Sequence, residues 1–152
     1  MFAVLFQIIL AAVFLMGLSE ARAEEVPQIQ VGIHLATWHS KPGFNNINPG
    51  VYLREVKSGA TIGAYCNSES SSARFPDAER CKLATYAGKT WSYQVNQHVT
   101  ISATAGFIGG YERGIMPMVL PSALIGNHLR VVIIPAVDPK VRTWAVHAAY
   151  EF

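Results

Sequence analysis

Charge is scarce in this sequence. Asp, Glu, Lys and Arg supply 14% of the 152 residues, and the net charge is +2 with neutral histidines. A nucleic-acid-binding surface needs a concentrated basic footprint, so that class of partner is excluded. Cysteine is scarcer: only Cys66 and Cys81 are present, at a spacing that matches no zinc pattern. His34, His98, His128 and His147 share no ligand spacing either, so neither a metal nor another cofactor is expected. After Ala23 no apolar stretch approaches the ~20 residues that a membrane-spanning helix needs.

The one long apolar run is at the start, from Phe2 to Leu18. It lacks a basic residue near Met1. It is followed by Ala21-Arg22-Ala23, a small-x-small cleavage pattern, and then by polar Glu24-Glu25. An uncleaved anchor is the competing reading, since the run nears the ~20 residues that cross a bilayer. The cleavage pattern favours a signal peptide over 1–23 and one domain over 24–152. Export to an oxidising compartment would then pair Cys66 with Cys81. Such a bridge closes a Ser-rich segment with little else to order it and contributes ~3 kcal/mol. Two free thiols are the alternative.

What the chain has in quantity is alternation. From the end, Phe152, Tyr150, Ala148, Val146 and Trp144 form one series; Glu151, Ala149, His147, Ala145 and Thr143 form the other. Strand side chains alternate faces, so one face is apolar with aromatics at both ends and the other small and polar. A soluble sandwich would turn the apolar face inward. An outer-membrane barrel turns it outward to lipid, and the terminal Phe152 favours that choice. The same pattern recurs over Gln28 to Trp38, Val51 to Lys57, Thr61 to Cys66, Leu83 to Val95, Val99 to Tyr111, Pro117 to Ile125 and Leu129 to Ala136. With the last strand this predicts an all-β, eight-stranded antiparallel up-and-down barrel, integral to a bacterial outer membrane and monomeric.

Short turns near 58, 96 and 126 belong at one rim, and longer connections near 40, 67, 112 and 138 at the other, outer rim. Strands one and three therefore both end outward, which brings His39 toward Asn67 and Ser68. Pro cannot donate to a strand ladder, so Pro117, Pro121 and Pro135 are expected to interrupt pairing between strands six and seven. Gly63, Gly88 and Gly106 are expected to leave space in the lumen. Arg130 and Glu151 are expected to pair inside the barrel, with Arg54 or Glu55 as the other lumen charge.

At this point the chain resembles a family. Thr37-Trp38-His39 and the Asn-rich loop after it look like the first strand and loop of the outer-membrane lipid A palmitoyltransferases (the PagP type). Pro117-Met118-Val119-Leu120-Pro121, followed by Gly126, resembles their proline-rich sixth strand. Ile134-Pro135 looks like the Ile-Pro of their seventh, and the aromatic last strand ending in Phe152 agrees. The resemblance runs from strand one to the end, through the order and spacing of motifs. The family's helix ahead of strand one has no counterpart, since Glu24 to Pro27 leaves no room for it.

The resemblance implies transfer of an acyl chain from a phospholipid donor to a lipid A acceptor, with a His, an Asp and a Ser at the outer rim. The His maps to His39 and the Ser to Ser68, while Asn67 stands where the family has Asp. It also implies that the proline gaps admit lipid chains sideways from the membrane. The chemistry is consistent by itself. Ester-to-hydroxyl transfer needs a base, for which His39 serves, and donors for an oxyanion. Ser68 is a nucleophile or a donor, and Asn67 can orient an imidazole but cannot stabilise an imidazolium by charge. A lipid A deacylase-type hydrolase, suggested loosely by Asn48-Pro49-Gly50 after His39, is a second reading. A barrel without catalysis, binding a membrane or a ligand, is a third.

Overall fold

The computed structural model describes residues 28–136 and 143–152. The expected signal peptide and the connection around Asp138-Pro139 lie outside the described residues. Eight strands run in order: β1 (Ile29–His39), β2 (Ile47–Glu55), β3 (Ala60–Cys66), β4 (Leu83–Asn96), β5 (Val99–Tyr111), β6 (Gly114–Ile125), β7 (Leu129–Ile134) and β8 (Ala145–Glu151). Each pairs antiparallel with its neighbour in sequence, and β8 pairs with β1 to close the barrel. Closure removes both sheet edges, so no backbone ladder is left open for lack of a neighbouring strand.

The barrel is apolar outside and polar inside. Ile29, Val51, Ile101, Phe107, Val119 and Ile133 are exposed, whereas Thr37, Asn48, Arg54, Thr61, Arg130, His147 and Glu151 are buried. Exposed aromatics gather toward the two ends: Trp38 packs edge-on against Trp144 near the loop rim, and Tyr150 against Phe152 near the turn rim. This architecture fits an outer-membrane protein.

One irregularity decides the site. Along β1 the simple alternation would turn Ala36 and Trp38 inward and Thr37 and His39 outward. Between His34 and Ala36 the register shifts: His34 lies opposite Ala149, yet Ala36 lies opposite Ala148. Leu35 is the extra residue of a β-bulge, which reverses the phase of all that follows. Thr37 and His39 then pair with the lumen-facing His147 and Ala145, and Trp38 turns to the outer surface of the barrel.

Two strand starts differ from expectation by three residues or more. β2 begins at Ile47 rather than Val51, so Asn48-Pro49-Gly50 belongs to a strand and not to a loop. β6 begins at Gly114 rather than Pro117, and the expected long loop near 112 is a tight turn at Glu112–Arg113. Gly110 and Gly114, at φ of 94° and 76°, supply backbone conformations that other residues rarely adopt.

The half of the lumen nearest the short turns is largely occupied by a hydrogen-bonded cluster. Glu151, fully buried, accepts hydrogen bonds from Tyr52, Arg54 and Arg130. Arg54 also reaches Gln30, and Arg130 donates to Ser122 over 2.9 Å. Hydroxyls of Thr61, Thr90 and Thr104 form a chain at 2.9 and 2.8 Å. Arg54, not Glu55, is thus the other lumen charge, and it completes a buried triad with Arg130 and Glu151. The expected space at the glycines is taken. The ring of Tyr86 occupies the place of a Gly63 side chain, and a Cβ at Gly88 or Gly106 would strike the backbone of the facing strand.

Candidate active site

The opposite half of the lumen is open. A cavity of about 230 Å³ is lined by His39, Phe44, Ser68, Tyr111, Met118 and Pro135, among others. A narrower space of about 80 Å³ continues inward past Thr37 and Asn48 to His34, Tyr52 and Tyr86. His39 and Ser68 line both. The structure therefore brings the two together, from strands β1 and β3, as their shared rim predicts.

His39 lies at the very end of β1, stacked on Phe44 with ring centroids 4.9 Å apart. Its Nδ1 is 2.8 Å from Asn46 Oδ1. A carbonyl oxygen can only accept, so Nδ1 carries the proton and Nε2 keeps its lone pair, the form a general base requires. Asn46 is itself held, because its carbonyl receives the Thr37 backbone N–H over 2.9 Å. Phe44 in turn lies beneath the guanidinium of Arg74, 4.8 Å from ring centroid to carbon.

Ser68 sits just past β3, and its carbonyl accepts the Asn45 N–H over 3.1 Å. It lines the cavity together with Tyr111, whose hydroxyl is 2.8 Å from that of Tyr65. The segment carrying it is closed by the Cys66–Cys81 disulfide, whose Cα atoms are 4.9 Å apart. Across the same neck, Asn67 N–H donates to the Lys82 carbonyl and Lys82 N–H to Ser70 Oγ.

Asn67 does not orient His39. Its Nδ2 donates to the Gly110 carbonyl over 2.8 Å, and its Oδ1 accepts the Glu69 N–H over 2.9 Å. With both ends of the amide engaged and the side chain wholly buried, Asn67 clamps the Ser68 segment to β5. Asn46 holds the imidazole instead. Its signal in the sequence is an amide seven residues after His39 across a tight connection.

Pairing between β6 and β7 runs only from Ile125↔Leu129 to Ser122↔Val132. The next residue of β6 is Pro121, which has no N–H, while Ile133 and Ile134 stay paired to β8 alone. Pro135 follows β7 directly. Pro117 and Pro135 line the larger cavity on either side of this unpaired stretch, so the cavity reaches the wall where the ladder is missing.

Below the cavity, His147 and His34 join ring to ring, Nε2 to Nδ1, at 2.7 Å. Thr37 Oγ1 meets His147 Nδ1 at 2.7 Å, and Tyr86 meets His34 Nε2 at 3.1 Å. One proton on each imidazole satisfies this whole chain, which forms the floor of the open half. Among the described residues no group of three or more His, Cys, Asp or Glu side chains is placed to hold a metal ion. No family model and no curated protein sequence matches this chain.

Proposed function

We propose that this protein is an outer-membrane acyltransferase that moves a palmitoyl-like chain from a phospholipid to lipid A, after export through its N-terminal segment. The observation that supports it most is the shared cavity: His39, with Nε2 free to act as base, and Ser68 line one space that abuts the unpaired β6–β7 wall. An acyl chain would enter between Pro117, Pro121 and Pro135 without crossing a hydrogen-bonded ladder. His39 takes the proton of the attacking hydroxyl, and Ser68, backed by Tyr111 and Tyr65, stands where it can attack the ester or donate to its oxyanion. Asn46 aligns the imidazole as a carboxylate would, without contributing charge.

Mass spectrometry of lipid A from cells expressing the protein tests this. Added acyl mass is expected, and it should be lost in His39→Ala and in Ser68→Ala, with the double variant no worse than either. Loss of acyl mass would replace the reading with hydrolysis, and an unchanged profile would leave a barrel without this activity. Both variants should fold, since neither side chain belongs to the buried triad. Folded single variants with wild-type lipid profiles would sink the assignment of this site.

A further inference from the structure

Asn48 lies on β2, 1% exposed, and lines the inner space together with His39 and Ser68. Its Nδ2 donates to the Cys66 carbonyl over 2.8 Å, which fixes which end of the amide is oxygen. That oxygen, Oδ1, has no hydrogen-bond partner in the protein. A buried acceptor left without a donor is unfavourable, and in a native fold it calls for an explanation. The oxygen is itself buried, but it belongs to a side chain that lines the cavity, so a ligand group moving in against Asn48 from the cavity can supply the donor.

We propose that Asn48 binds the acyl acceptor through a donor group next to the hydroxyl that reacts. This rests on the acyl-transfer reading. In that reaction the acceptor oxygen forms a bond to the acyl carbon, and its proton goes to His39 Nε2. The ester C–O bond of the donor breaks, and His39 returns the proton to the departing alkoxide. The reacting hydroxyl has a single proton, which must point at His39, so it cannot also donate to Asn48. Asn48 therefore takes a second O–H or N–H on the same molecule. The acceptor class this selects is a sugar or another polyol, and a simple alcohol lacks the second donor. Water, with two O–H bonds, is the competing occupant and would make the site hydrolytic.

The test uses the full barrel folded in lauryldimethylamine oxide, with phosphatidylcholine as donor and either dodecyl maltoside or dodecanol as acceptor. The wild type is expected to prefer the maltoside by about tenfold or more, the scale of one buried hydrogen bond. Asn48→Ala should bring that preference close to one. An equal fall with both acceptors would mark Asn48 as structural, and a fall confined to hydrolysis would assign it to water; either overturns the proposal. A second measurement does not need turnover. In His39→Ala, the Asn48 side-chain ¹³C carbonyl signal should shift saturably on adding dodecyl maltoside. Asn45, whose amide already bonds Ile47 at both ends, should not shift. If the wild type acylates neither acceptor, the acyl-transfer reading fails, and this titration still decides: a saturable shift keeps Asn48 as a donor-binding site, and no shift removes it.

Discussion

The two halves of the lumen use similar residue types to opposite ends. Toward the short turns, Arg54, Arg130, Tyr52 and Gln30 converge with Glu151, and the hydrogen bonds among them close the bottom of the inner space. Toward the loops, His39, Asn48, Ser68 and Tyr111 surround open space, and one buried oxygen is left without a partner. Burying three charges is costly unless every one is paired and hydrogen bonded, so the lower cluster has to be complete. An incomplete polar set persists only where something else completes it. The lower half is therefore read as the stabilising plug and the upper half as the end open to a ligand.

The sharpest way to break this contrast is Glu151→Gln, which leaves two buried guanidiniums facing no counter-charge. Urea unfolding in lipid vesicles should register a loss of about 3–5 kcal/mol. A loss below about 1 kcal/mol would mean the plug is not what holds the barrel. Replacing Cys66 and Cys81 together by Ser comes next. The variant should lose ~3 kcal/mol in the same assay, by the unfolded-chain argument for a loop of this size. Because the neck is also tied through Lys82, Ser68 should keep its place at 25 °C. Activity abolished in a still-folded variant would show the bridge to be part of the site.

Smaller effects separate the two asparagines. Asn67→Asp sets a carboxylate against the Gly110 carbonyl and removes a donor, so it should cost about 1–3 kcal/mol of stability and give no gain in rate. Asn46→Asp supplies the negative charge where His39 can use it. A charge-assisted hydrogen bond is about twice as strong as a neutral one, so lipid modification should rise by roughly fivefold. A gain in Asn67→Asp and none in Asn46→Asp would reverse the assignment of the orienting residue.

The eight strands, their order and the polar lumen were legible because a barrel strand writes its environment into the sequence every second residue. Phe152, Tyr150 and Trp144 set against Glu151, His147 and Thr143 needed no coordinates to assign faces. The Arg130–Glu151 pair followed from the same alternation, whereas the disulfide followed from export and a count of two cysteines. The outer rim was legible only in part: it follows from connection lengths that His39 and Ser68 approach each other, but not what touches them.

What the amino-acid sequence determined by itself was everything carried by local periodicity and chain reach: strand faces, neighbour order, the rim shared by two strand ends, and the absence of an N–H at Pro121. The tertiary structure alone decided the rest. The extra residue at Leu35 is a bulge only because of the register in which β8 pairs with β1, and that pairing turns His39 inward. The choice of Asn46 over Asn67 as partner of the imidazole, the tyrosine rings set against the glycines, and the unpaired oxygen of Asn48 each depend on which side chains arrive from other strands. A period of two says which way a residue points, and only closure of the barrel says what it meets there.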